Sequence, residues 1–161
     1  NAALALFDEA FYGPTDPRGT MFVDNEAKCG FIGVLEGRSA AEASRPLSPP
    51  DPITLASHVG HVHYSLTLVI RSVKGELPYS NADWAGSWGN RSVDDEAWSR
   101  LIAGLRSSYE ELRGLITAGA VWRTEDLLTE TLAQIAHGAW HLGAIRQGLG
   151  MVRAPRGSDK P

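Results

Sequence analysis

From Leu132 to Ile145 the chain carries no Asp, Glu, Lys or Arg; alanine, glycine, leucine, isoleucine, glutamine, tryptophan and two histidines make up the run. It does not alternate as a half-buried strand would, and it has no charged face to turn toward water. A helix that is apolar or small around its whole circumference is a central one, packed by neighbours on several sides. Its glycines and alanines let those neighbours' backbones approach closely. The run therefore demands other helices around it, and the remainder of the chain supplies candidates.

Two further segments have the period of a helix. Leu55, Val59, Val62, Leu66, Val69 and Val73 recur at spacings of four and three and form one apolar stripe, which predicts a helix from about Pro52 to Lys74. Gly75 and then Pro78 mark its end. Another helix is expected after Ser92, where Ser92-Val93-Asp94-Asp95 has the form of a capping box with a shortened acid. Trp98, Leu101, Leu105 and Leu112 give it an apolar face, and Gly119 stops it. The helix that contains the uncharged run starts at Thr124, with Glu125 and Asp126 in its first turn, and reaches about Gly148–Gly150, with Pro155 beyond.

The first fifty residues are less regular. Asn1–Tyr12 reads as helical, Glu26–Glu36 as a helix weakened by three glycines, and Ser39–Ser44 as a single helical turn. Pro46, Pro49, Pro50 and Pro52 enforce a connector, and no run alternates as a strand does. The expected fold is all-α, most simply a four-helix bundle, formed as one domain over residues 1–161. The connector Gly75–Arg91 is long for a bundle and carries Trp84 and Trp88, which either plug one end of the core or wall a pocket or dimer contact.

All five histidines fall in two groups, His58, His61 and His63 on one predicted helix and His137 and His141 on another. A spacing of four puts His137 and His141 on one face, one turn apart, where two imidazoles can share a metal ion. Buried imidazoles need partners, since an unsatisfied polar group costs about 1–3 kcal/mol. A third ligand has to come from the other group. At about 100° per residue, His58 lies about 60° from the apolar stripe, His61 about 120° away on the same side, and His63 about 80° to the other side. His58 is thus the first choice to join His137 and His141, with His61 as alternate and His63 behind it. Three imidazoles with an open fourth position are the pattern of a catalytic site rather than a structural one. Zinc or nickel leads the expected ions, and copper and iron accept the same ligands.

Other chemistries find no support. There is no HExxH, P-loop, GxGxxG or GxSxG, and no Glu-x-x-His pair of a carboxylate-bridged di-iron bundle. The single cysteine, Cys29, excludes an internal disulfide and any Cys-cluster zinc site, and reads as a small buried residue. Arg146, one turn past His141, reads as an internal salt bridge. A formal charge of −4 argues against nucleic acid as partner. The apolar run Leu66–Ile70 is far short of the ~20 residues that span a bilayer. No basic flank precedes the short apolar N-terminal run, so neither a signal peptide nor a membrane is expected, and few thiols suit a cytoplasmic setting.

The sequence from His137 to Arg146, His-Gly-Ala-Trp-His-Leu-Gly-Ala-Ile-Arg, resembles the last-helix signature H-x-x-x-H-x-G-x-I of the DinB/YfiT-like superfamily. Leu55-Ala-Ser-His58-Val resembles that family's second-helix motif, in the same order along the chain. The resemblance covers about Thr54 to Leu149. It implies an up-down-down-up four-helix bundle, often a homodimer, with a divalent metal held by His58, His137 and His141. It also implies a metal-dependent enzyme acting on a small molecule, a transferase using a low-molecular-weight thiol in preference to a hydrolase. The rival expectation is a non-catalytic dimeric bundle with a structural or sequestered metal. Before Thr54 the chain departs from the simpler members of the family.

Overall fold

The structure, a computed structural model, describes residues 2–26 and 28–151. Asn1 and the expected closing residue Pro155 lie outside them. The chain is mostly helical. In order it forms α1 (Ala2–Phe11), α2 (Ala40–Ala43), β1 (Pro46–Ser48), β2 (Asp51–Thr54), α3 (Leu55–Val73), α4 (Asp95–Thr117) and α5 (Glu125–Gly148). Helix α3 packs on α4 and α5, and α1 closes the other side against the same two helices. No helix among the described residues is long and apolar enough to cross a membrane.

The helices form for the reasons their sequences give, with shifts at their starts. The stripe of α3 is buried from Leu55 through Val73. Its helix opens at Leu55 rather than Pro52, because Thr54 is the cap whose hydroxyl accepts from the Ser57 N–H at 3.2 Å. Helix α4 likewise starts later than the Ser92 box predicts. Its cap is Asp94, which accepts from the Ala97 N–H at 2.7 Å. The preceding residue is held elsewhere: the Val93 N–H donates to Ser44 Oγ at 3.0 Å, keeping that stretch against the end of α2. Thr124 caps α5 as its sequence predicts.

Two expectations for the first half are corrected. Residues 46–54 are not a plain connector: β1 and β2 pair as a short antiparallel hairpin, with a cis peptide bond at Pro49-Pro50 between them. Strands of three and four residues are too short to show alternation, and a two-stranded edge tolerates prolines that lack an N–H. Among the described residues of segment Glu26–Glu36 there is no α-helix either, and only Gly33–Leu35 makes a 3-10 turn. A Cβ on Gly30 would stand 2.5 Å from the Tyr12 backbone, so this glycine serves close packing of a loop on the end of α1. There the Phe31 and Ile32 N–H groups donate to Ala10 and Phe11 carbonyls at 2.9 and 2.7 Å.

Charged side chains secure this irregular half. Glu9 is buried, and its Oε1 accepts from Thr20 Oγ1 and the backbone N–H groups of Met21, Phe22 and Val23 at 2.7–3.2 Å. Burial alone would raise its pKa; the hydrogen bonds outweigh burial and leave it lowered. Asp8 accepts from the Tyr109 hydroxyl at 2.5 Å and from Arg113 at 2.9 and 3.0 Å, tying α1 to α4 beside the stacked Phe7 and Tyr109 rings.

Candidate metal centre

Two helices and one loop build the site. His58 and His61 leave α3 on the flank that packs on α5, where His137 and His141 sit one turn apart. His63 leaves α3 on the opposite flank and meets α4, its Nδ1 2.9 Å from Ser108 Oγ. The division follows the helical wheel, since His58 and His61 share a side of the apolar stripe and His63 takes the other. Over the pair lies the connector, whose Trp88 ring stacks on His61 at 4.1 Å between centroids and 21° between planes. Gly60 leaves room for the Asn90 side chain of this connector: a Cβ there would stand 2.3 Å from Asn90 Nδ2. The connector is pinned by the Thr54 and Ser57 hydroxyls, both donating to the Asn90 carbonyl at 3.3 Å, and by the Asp83 N–H donating to the Tyr64 hydroxyl at 2.8 Å.

The ring nitrogens converge. His137 Nε2 lies 2.9 Å from His141 Nε2 and 3.2 Å from His61 Nε2. One nitrogen from each of His61, His137 and His141 falls within 4.8 Å of the other two, and His61 and His141 are buried. Donors bound tetrahedrally at about 2.0–2.1 Å sit roughly 3.3 Å apart, so the spacing is near what a shared ion needs. His58 adjoins the centre from behind, its Nδ1 2.7 Å from His141 Nδ1. Of the candidate third ligands, His61 is therefore the one whose Nε2 shares the centre with the α5 pair. His58 instead meets the other nitrogen of His141.

The protons are determined by the partners. The Ser87 hydroxyl donates to the Trp84 carbonyl at 2.6 Å, and a hydroxyl has one proton. Its contact with His61 Nδ1, also 2.6 Å, must then be donated by the imidazole. A neutral His61 with its proton on Nδ1 presents a lone pair at Nε2, toward the centre. The same logic holds for His141 when its Nδ1–H donates to His58. In that arrangement His61 and His141 each present a lone pair to His137 Nε2. Burial, the largest cause, pushes the pKa of His58 and His61 from 6.5 down to about 4 and that of His141 to about 2, while neighbouring histidines add to the shift at His61 and His141. Burial lowers His137 as well. All four are neutral at pH 7, the form in which imidazole binds a metal.

The remaining candidates have structural roles. Cys29 is buried, its thiol donating to the Asp24 carbonyl at 3.0 Å, and burial raises its pKa. Arg146 pairs with Asp24. Trp84 and Trp88 wall the histidines, Trp84 with its ring 5.9 Å from His61. Ser87 has no signal in the sequence beyond its place between those tryptophans. Ser65 and Gln134, hydrogen-bonded at 2.9 Å and buried one turn below the centre, also escape a reading of motifs. Comparison of the chain with protein-family models, with curated proteins and with solved structures finds no match.

Proposed function

We propose that the chain is a metal-dependent enzyme built as an up-down-down-up four-helix bundle of the DinB/YfiT-like type, with a divalent ion, zinc or nickel, held by His61, His137 and His141. The observation that carries this reading is the convergence of three Nε2 atoms at 2.9 and 3.2 Å, with the Nδ1 proton of His61 committed to Ser87. Outer hydrogen bonds of this kind fix the ligating nitrogen of a metal-bound histidine. His58 serves as the corresponding partner of His141.

Three protein ligands leave a tetrahedral ion one position short, the arrangement of catalytic sites. The chemistry a divalent ion would supply there is Lewis acidity toward a thiol, a water or a carbonyl oxygen. The protein's own part is to keep three imidazoles neutral and aimed, to exclude bulk water with Trp88, and to hold protons at His61 Nδ1 and His141 Nδ1. Thiol transfer is preferred to hydrolysis on the strength of the motif resemblance. A homodimer belongs to the same reading, on the strength of the motif resemblance.

The test is metal content by mass spectrometry of tag-free protein reconstituted with zinc or nickel. About one equivalent is expected in the parent and in His58→Gln, and almost none in His137→Ala, His141→Ala or His61→Ala. Negligible metal in every form, after reconstitution with either ion, would sink the proposal.

A further inference from the structure

A cleft of about 510 Å³ opens between the β1–β2 hairpin and the last turns of α5. Its size suits a small molecule. His58 stands in its wall beside Trp88, and Trp140 and Asp51 line it with Ile53 and Gln147. Trp140 is 64% exposed, with its ring edge-on to His141 at 4.7 Å between centroids. So large an apolar side chain is not buried by the fold at this position, yet it borders a cleft and touches a histidine of the centre.

The charge in the cleft has one sign. No Lys or Arg lines it among the described residues, and Asp51 is its one carboxylate. Asp51 Oδ1 accepts the Ile53 N–H at 3.1 Å, and Asp51 enters no ion pair among the described residues. A carboxylate outside any ion pair among the described residues, in a cleft that two indole rings also line, attracts an organic cation, through Coulomb attraction and through the negative faces of the rings. An anionic group would meet no counter-charge.

We propose that this cleft is a binding site for a small organic cation, an amine or quaternary ammonium, seated against Trp88, Trp140 and Asp51 with the rest of the molecule reaching His58. The binding does not depend on the metal-dependent reading above. Among the histidines His58 alone lines the cleft, so it is the one a bound molecule meets.

The experiment is isothermal titration calorimetry of the metal-free full chain with three probes that share a ring: benzyltrimethylammonium, benzyl alcohol and benzoate. The expected order is cation, then alcohol, then anion, with the cation at least tenfold tighter than the alcohol. Asp51→Asn keeps an oxygen for the Ile53 N–H and is expected to reduce that preference at least fivefold. Trp140→Leu, at an exposed position, is expected to weaken the cation more than the alcohol. Equal binding of cation and alcohol, tighter binding of benzoate, or an unchanged preference in Asp51→Asn would each overturn the proposal. Zinc titration of the same protein separates the two readings. Cation preference without zinc binding retains the cleft and refutes the metal centre, whereas zinc binding without cation preference refutes the cleft alone.

Discussion

Replacing Ser87 by alanine removes one oxygen atom and leaves every imidazole in place. Ser87 Oγ accepts the His61 Nδ1 proton at 2.6 Å and donates to the Trp84 carbonyl at 2.6 Å. Without it that proton has no partner behind Trp88, and the His61 tautomer with its proton on Nε2 becomes competitive. The second tautomer points an N–H at the centre and has to be converted before a metal binds. Loss of an outer-shell partner weakens metal binding by about 10–100-fold, which corresponds to roughly 1.4–2.7 kcal/mol. The loss stays below that of His61→Ala because the ring is still stacked on Trp88 at 4.1 Å. The assay is competition for zinc against a chromophoric chelator at pH 7.5. Ser80→Ala, whose hydroxyl donates only to the Leu77 carbonyl in the same connector, is the control and leaves affinity unchanged. A Ser87→Ala protein that binds zinc within twofold of the parent would refute the tautomer argument.

Two further outcomes test the packing and the charge states. In the metal-free protein, His58 and His61 have pKa values lowered from 6.5 to about 4, so between those pH values the unfolded chain binds more protons than the folded one. Stability is complete above pH 6.5 and falls as pH drops toward 4, by about 3 kcal/mol for buried His58 alone; urea midpoints that stay flat across that window contradict the burial of these rings. In α5, a Cβ on Gly138 would stand 2.9 Å from Phe11 Cε2, an atom of a fully buried ring, whereas one on Gly143 meets nothing within 4 Å. Gly143→Ala is expected to stabilise by up to about 1 kcal/mol, and Gly138→Ala to cost about 1–3 kcal/mol through overpacking. Denaturant curves ranking Gly138→Ala at or above Gly143→Ala would show that α1 does not press on α5 there.

How much of this was legible in the residues differs from element to element. The four-three spacing of Leu55 to Val73 specifies a buried helix, because a helix's period is a local property of its own sequence. The uncharged run Leu132–Ile145 specifies a helix too, but not the central one expected, since Leu132, Ala133, Ala136, Trp140 and Gly143 on it are exposed. The same wheel places His58 and His61 on one flank and His63 on the other. It also ranked His58 above His61, since a residue about 120° from the apolar stripe is expected near solvent. The connector changes that outcome: Trp88 lies over His61 and leaves it 7% exposed. No periodicity on α3 records what a loop from residues 75–91 covers.

The hairpin and the N-terminal loops illustrate the same limit. Pro46 to Pro52 reads as a connector because three- and four-residue strands carry no alternation, and their pairing is visible only once both are seen side by side. The residues alone specify the three long helices and the one-turn spacing that sets the histidine pair on one face, but not the middle of the fold: α3 is the most buried helix, whereas Leu132, Ala133, Ala136, Trp140 and Gly143 leave one face of α5 exposed. Which α3 nitrogen meets that pair, and which hydroxyl accepts the proton behind it, depends on packing between distant parts of the chain. Helical period acts over four residues, whereas the contacts of His61 with Ser87 and His137 span 26 and 76 residues.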